Sequence, residues 1–178
     1  MSIHVGQPAP TLDVEAYVPG RPAAERISTA DYSGDWVVLV FYPRDFTFVC
    51  PTELRGFGDL HDEFAAAGAQ VLAASTDSYW VHKAWFEGEP ALRGVRYPVL
   101  ADTAHRLTAA YGILLDDGSA MRATYIIDPE GTVRHATVSD PSVGRSPAET
   151  LRVLHALQTG ELCPVDWAPG TPTLSIAP

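Results

Sequence analysis

The chain lacks most of the features that assign a protein to a class at sight. It has no Cys-x-x-Cys pair, no two histidines close enough in sequence to suggest a metal site, and no Cys/His set at zinc spacing. A thioredoxin-type dithiol and a bound metal are therefore not expected. No FAD or NAD fingerprint is present either, so no cofactor is expected and any electrons must come from another protein. No apolar run approaches the roughly 18 residues that a membrane-spanning helix requires. The start, Met1-Ser2-Ile3-His4-Val5-Gly6, lacks a basic segment followed by an apolar stretch, so no secretory leader is read and a cytoplasmic protein is expected. Basic residues are few. Twelve Lys and Arg stand against 22 Asp and Glu, the formal net charge is −10, and no Lys/Arg cluster offsets it locally. Nucleic acid and acidic membrane surfaces should be repelled. Cysteine is scarce as well: Cys50 and Cys163 are the two in the chain. In a cytoplasmic protein they are not expected to form a permanent staple.

The 178 residues present suffice for one domain with a sizeable core, and 46% hydrophobic with 19% charged residues is ordinary for a globular chain. The most informative stretch runs from Phe41 through Pro43, Thr47 and Cys50 to Glu53. Before it, Trp36 to Tyr42 is a continuous β-branched and aromatic run, which predicts a strand buried on both faces. After it, Leu54, Phe57, Leu60 and Phe64 recur three or four apart, which predicts one helix closed by Gly68. Pro51 falls in the first turn, where its missing N–H costs nothing. Cys50 therefore opens a helix at the carboxyl end of a strand. The first amides of a helix have no intrahelical partner and carry partial positive charge, so a sulfur among them is more easily ionised. The plainer alternative is a buried cysteine acting as a small hydrophobe. Thr47 offers a hydroxyl three residues before the sulfur, or a helix cap. Glu53 lies one turn beyond it, placed to orient an arginine or to favour the helix dipole.

Elsewhere, Leu12, Val14 and Tyr17 alternate as an edge strand does, and Val71–Ser75 reads as a second buried strand. A helix from about Tyr79 to Glu87, a short strand at Tyr97–Leu100, and a helix through Leu107 and Tyr111 closed by Gly112 follow. Arg122–Ile127 and Thr132–Val138 form a hairpin around the turn Asp128-Pro129-Glu130-Gly131. Ser146-Pro147-Ala148-Glu149 combines an N-cap, a first-turn proline and a capping-box glutamate, and opens a helix carrying Leu151, Leu154 and Leu157. Alternating strands and helices followed by a hairpin predict a mixed sheet with helices on both faces. Beyond Gly160, prolines at 164, 169, 172 and 178 forbid a long helix. Leu162 and Trp167 in that tail predict docking onto a surface of this chain or another. A mobile Cys163 there suits thiol exchange. Arg122, taken alone, reads as an exposed edge charge, and most of the six histidines as solvent-facing or locally hydrogen-bonded.

Pro43-x-x-x-Thr47-x-x-Cys50 resembles the active-site signature of the peroxiredoxins. Cys163-Pro164-x-x-Trp167-x-Pro169-Gly170 after Gly160-Glu161 resembles the resolving-cysteine motif of typical 2-Cys peroxiredoxins. His82-Lys83-Ala84-Trp85, Arg122 to Pro129, and Val143-Gly144-Arg145-Ser146 are similar to bacterial alkyl hydroperoxide reductase C. The motifs keep their order and spacing over nearly the whole chain. The resemblance implies a thioredoxin-like α/β fold, with a mixed central β-sheet flanked by helices over residues 1–160. A C-terminal tail over 161–178 then carries the resolving cysteine. It implies a thiol peroxidase acting on a peroxide substrate. Cys50 is then the peroxidatic thiol, with Thr47 hydrogen-bonding the peroxide, Arg122 favouring the thiolate and Pro43 shielding it. Glu53 and Arg145 are its support. It further implies a Cys50–Cys163 disulfide between the subunits of a homodimer, reduced by an external dithiol or a flavoprotein. Five dimers would form a ring, with Phe46 near the dimer–dimer contact. Two features depart from overoxidation-sensitive members: no terminal helix with a Tyr-Phe pair follows Cys163, and Gly88 to Gly94 is not a Gly-Gly-Leu-Gly loop. Resistance to sulfinic inactivation is expected from both. A general disulfide oxidoreductase and a redox-responsive holdase are the alternative functions.

Overall fold

A computed structural model describes residues 3–175. Met1 and Ser2, on which part of the leader reading fell, and the tail proline Pro178 lie outside the described residues. The elements follow in the order β1 (Asp13–Tyr17), β2 (Glu25–Ser28), β3 (Trp36–Phe41), α1 (Cys50–Asp59), α2 (His61–Ala66), β4 (Ala69–Ser75) and α3 (Tyr79–Gly88). After these come β5 (Val99–Ala101), α4 (Arg106–Ala110), β6 (Arg122–Ile127), β7 (Val133–Ser139) and α5 (Pro147–Thr159). All seven strands join one sheet in the order β2-β1-β5-β4-β3-β6-β7. The central pairs β3/β4 and β4/β5 are parallel, and the outer pairs are antiparallel. A mixed α/β sheet covered on both faces is what the alternation of elements predicts.

The side-chain period of two in a strand divides the core into two halves. Val38 and Val40 of β3 pack with Leu54, Phe57, Phe64, Trp85 and Leu154 on one face, where α1, α2, α3 and α5 lie. Val37, Leu39 and Phe41 pack with Leu107, Tyr111 and Tyr125 on the other, where α4 lies. A strand buried on both sides must read as a continuous apolar run, as β3 does.

Three expectations are corrected. β1 is not an edge strand, because β2 pairs with it in antiparallel register, Val14 opposite Ile27. β2, with the sequence Glu-Arg-Ile-Ser, is too short and too charged to show alternation. The helix expected from Cys50 to Gly68 is broken at Leu60, whose backbone (φ −99°, ψ 11°) leaves the helical region. Gly56 and Gly58 in the preceding turn hold the helix weakly. Gly56 is nonetheless required, since a Cβ there would stand 2.9 Å from Pro147 Cγ at the start of α5. Third, Ser146 caps α5 by accepting from Glu149 N–H, but the Glu149 carboxylate accepts from Arg152 instead of closing a capping box. Among the described histidines, His82 is the buried exception, bonded across 37 positions to Asp45.

Phe57 is fully buried and stacks on Phe64 with ring centroids 6.0 Å apart. Phe57→Ala should lower the unfolding free energy by about 3–5 kcal/mol, the usual cost of truncating a buried phenylalanine. Urea titration measures this; a loss below about 1 kcal/mol would mean that α1 does not rest on the sheet as described.

Candidate active site

β3 delivers the chain to the site. Tyr42 N–H continues the ladder by donating to the Ala74 carbonyl at 3.0 Å, and Pro43, half-buried, then turns the chain away from the sheet. The loop from Pro43 to Val49 is fastened from beneath. Tyr42 OH donates to Asp45 Oδ1 at 2.7 Å, His82 Nδ1 lies 2.7 Å from Asp45 Oδ2, and His82 Nε2 lies 3.3 Å from the Leu100 carbonyl. Asp45 N–H donates to Asp77 Oδ2 at 2.9 Å. Phe46 takes a left-handed backbone (φ 55°), which a bulky residue adopts only where its surroundings hold it there. Its ring stands 5.9 Å from Trp85. The loop is thus held to α3 and to the ends of β4 and β5.

α1 begins at Cys50, with Pro51 in its first turn. Cys50 has no exposed surface. Arg122 Nη1 stands 3.3 Å from its sulfur and donates to it. Arg122 is the first residue of β6, and β3 pairs with β6 through Phe41 and Ala123, so the sheet register puts the arginine beside the end of β3. Its Nε donates to the Pro141 carbonyl at 2.7 Å and its Nη1 to Glu53 Oε2 at 2.6 Å. Arg122 is therefore not the exposed edge charge that its position alone suggests; it is 3% exposed.

Glu53 gathers a second arginine. Arg145 gives it three bonds: backbone N–H to Oε1 at 2.7 Å, Nε to Oε1 at 2.7 Å, and Nη2 to Oε2 at 3.0 Å. Arg145 Nη1 is spent on the Ala123 carbonyl and Thr124 Oγ1. Glu53 bonds both arginines at once, and it also stands in the first turn of α1, where the helix dipole favours an acid. Burial pushes the Glu53 carboxyl up; the hydrogen bonds and charge of Arg145 and the charge of Arg122 outweigh it and hold the group below its ordinary 4.5. The buried cluster then carries two positive charges and one fixed negative charge. The Cys50 sulfur lies against this cluster, 3.3 Å from Arg122 Nη1.

The other expected site residues are placed as follows. Thr47 is half-buried and its hydroxyl donates to the Arg44 carbonyl at 3.0 Å. It does not cap α1, which has no side-chain cap. Cys163 lies beyond Gly160, its sulfur 3.5 Å from Thr159 Oγ1. Arg145 and the Cys50 cluster sit by the start of α5 and Cys163 past its end. Thirteen helical residues span about 20 Å. The tail docks on its own chain through Trp167, which is buried and whose carbonyl accepts from Arg152 at 2.8 Å; Leu162, expected to dock as well, instead stays exposed and pairs with Leu174 of the same tail. Both cysteines are free thiols.

Two supports escaped the sequence reading. One is the Tyr42–Asp45–His82 network, in which His82 stands 37 positions from Asp45, too far to be paired by spacing. The other is Arg44, whose Nη2 bonds the Asp117 carbonyl and carboxylate, each at 3.0 Å, and ties the loop to the segment before β6. Only the opposite charges hinted at it.

Because the Glu53 carboxyl is held low when folded, its contribution to stability is present above about 4.5 and is lost as pH falls through the folded value. Glu53→Gln should remove that acid-side slope. At pH 7 it should cost about 3 kcal/mol, since it leaves two buried guanidiniums without their counter-ion. Urea unfolding from pH 3 to 8 measures both; an unchanged acid limb would contradict the assignment.

Known proteins are similar to this chain in sequence and in fold. The model of the AhpC/TSA family matches residues 5–136. A thioredoxin peroxidase of Echinococcus granulosus is 46% identical, over 97% of this chain and 93% of its own. An alkyl hydroperoxide reductase C of Mycolicibacterium smegmatis is 45% identical over 84% of this chain and 77% of its own. The reduced 2-Cys peroxiredoxin of Plasmodium vivax superposes with a TM-score of 0.90 at 33% identity, covering 95% of this chain and 91% of that one. With a fold, a buried cysteine–arginine pair and relatives that agree over nearly its full length, this chain belongs to the AhpC/TSA family and is a typical 2-Cys peroxiredoxin.

Proposed function

We propose that the chain reduces hydrogen peroxide and organic hydroperoxides to water and alcohols, with Cys50 as the peroxidatic thiolate and Cys163 as the resolving thiol. The observation that carries this reading is Arg122 Nη1 at 3.3 Å from Cys50 Sγ, held there by Glu53. The Cys50 thiolate attacks one oxygen of the O–O bond. That bond breaks, the sulfur is oxidised to sulfenic acid, and the second oxygen leaves as hydroxide or alkoxide and takes up a proton. Arg122 faces the charge that moves from sulfur to the leaving oxygen. Thr47 hydrogen-bonds the peroxide from the loop, and Pro43 shields the sulfur. Glu53 and Arg145 position Arg122. The absence of exposed surface at Cys50 favours a small oxidant over a protein disulfide.

Cys163 of a second subunit then displaces the sulfenic hydroxyl, forming the Cys50–Cys163 disulfide and releasing water. A disulfide needs Cα atoms within about 7 Å. The length of α5 between the two sites favours pairing between chains over pairing within one. The first turn of α1 must unwind to free Cys50. Its start has no side-chain cap, which leaves that turn weak. An external dithiol or a flavoprotein returns both cysteines to thiols. The exposed Phe46 and Phe48 supply apolar surface for contact between dimers, consistent with a ring of five. A cytoplasmic setting, where dithiol reductants are abundant, suits the cycle. Among the described residues, no helix is long and apolar enough to cross a membrane.

Cys50→Ser should abolish peroxide consumption. Cys163→Ser should permit one oxidation per subunit and stop further turnover. Non-reducing electrophoresis after one equivalent of peroxide should show a species of doubled mass that both variants lose. Full activity in Cys50→Ser, or an unchanged doubled species in Cys163→Ser, would refute the assignment.

A further inference from the structure

α1 is held unequally along its length. Its first turn, from Cys50 to Glu53, starts without a side-chain cap. Its second half carries Gly56 and Gly58, and glycine holds a helix weakly. On propensity alone the second half should be no firmer than the first. It is fastened from outside. The Tyr97 hydroxyl donates to the Leu54 carbonyl at 2.5 Å, across 43 positions, and Tyr97 is buried. Gly58 lies against Val95, where a Cβ would stand 3.3 Å from the valine Cγ2. The segment that supplies both contacts is itself anchored, because the Pro98 carbonyl accepts from Ala73 N–H of β4 at 3.0 Å.

The Tyr97 bond falls on the first residue after the turn that carries Cys50 and Glu53. Leu54 is therefore held twice, by its carbonyl and by a side chain that is fully buried in the core with Phe57. Glu53, one residue earlier, is tied only through the far end of its side chain, which leaves its backbone able to turn. Burial pushes the Tyr97 hydroxyl well up, against the opposing charge of Arg145, so the group stays a donor at neutral pH.

We propose that Tyr97 is a positioning residue that limits how far α1 unwinds when Cys50 leaves its pocket. The proposal rests on the reading of Cys50 and Cys163 as a reacting pair. Unwinding runs from Cys50 to Glu53 and halts at Leu54, where going further would break the Tyr97 bond and withdraw a leucine from the core. The half that stays folded is a template. Starting a helix is costly, whereas extending one is not. The first turn therefore re-forms by extension after each cycle and returns Cys50 to Arg122.

Amide hydrogen exchange of the full chain, followed by NMR in the reduced form and after oxidation to the disulfide, tests this. The amides of residues 54–57 pair with the carbonyls of 50–53, and the Gly58 amide pairs with the Leu54 carbonyl. In the oxidised wild type the former should lose protection and Gly58 should keep it. Tyr97→Phe leaves the Leu54 carbonyl its helix partner, so the variant should fold. In both redox forms its Gly58 amide should exchange about fivefold faster than in the wild type, the worth of one neutral hydrogen bond. That gain is measured relative to the Val38 amide of the central strand β3, which opens only with the whole fold. A tyrosine that merely stabilised the fold would speed Gly58 and Val38 alike. Equal acceleration of the two, no acceleration of Gly58, or a Gly58 amide already unprotected in the oxidised wild type would each overturn the proposal. If no Cys50–Cys163 disulfide forms, the peroxidatic reading fails on its own, and the reduced form alone decides whether Tyr97 holds α1.

Discussion

Glu53 is the group on which the site depends. One carboxylate, buried to 3% exposure, accepts from Arg145 through three bonds and from Arg122 through one. Two guanidiniums are brought together in the interior, where they would otherwise repel, and one of them is left with an N–H for sulfur. Arg122 cannot be moved from Cys50 without uncovering Glu53, and Glu53 cannot be protonated without weakening both arginines. Bidentate guanidinium–carboxylate pairing has the planarity and directionality to fix positions in this way, which a lysine would not supply.

Around that carboxylate the fold supplies three rigid approaches. The β3–β6 register sets Arg122 beside the end of β3, from which the chain leaves for Cys50. α1 carries Cys50 and Glu53 one turn apart on the same helix, so sulfur and carboxylate share a frame. The segment before α5 brings Arg145, and Gly56 allows Pro147 at the start of that helix to approach α1 closely. The loop between β3 and α1 could be the loose part. Instead the buried Asp45–His82 pair and Tyr42 OH anchor it to α3 and β5. What stays weak is the first turn of α1, which has no side-chain cap.

Much of this was legible in the sequence because it is written in local patterns. The run Trp36–Tyr42 gave β3, the proline and glycine of Asp128–Gly131 gave the β6–β7 turn, and Pro51 after Cys50 marked the helix start. β2 was hidden because Glu-Arg-Ile-Ser has no period, and the break at Leu60 because the apolar spacing continues smoothly through it. The site divides along the same line. Cys50, Thr47 and Pro43 are joined by short spacing, and Cys163 by its own motif. Arg122 and Arg145 bond Glu53 across 69 and 92 positions, a relation that only sheet register and helix packing create. Resemblance to a family supplied both arginines; periodicity could not have done so. The bond from Tyr97 to the Leu54 carbonyl had no sequence signal, since any buried tyrosine reads as core.

If Glu53 acts on Cys50 by holding Arg122, the two residues must act as one unit. The direct measurement is a double-mutant cycle on the second-order rate constant for oxidation of Cys50 by hydrogen peroxide, followed in a single turnover by stopped-flow tryptophan fluorescence. The variants are Glu53→Gln, Arg122→Met and both together. The account predicts that each single variant slows oxidation and that the double variant is no slower than Arg122→Met alone. Losses that simply multiply would contradict it, and would mean that the carboxylate and the guanidinium serve the sulfur independently.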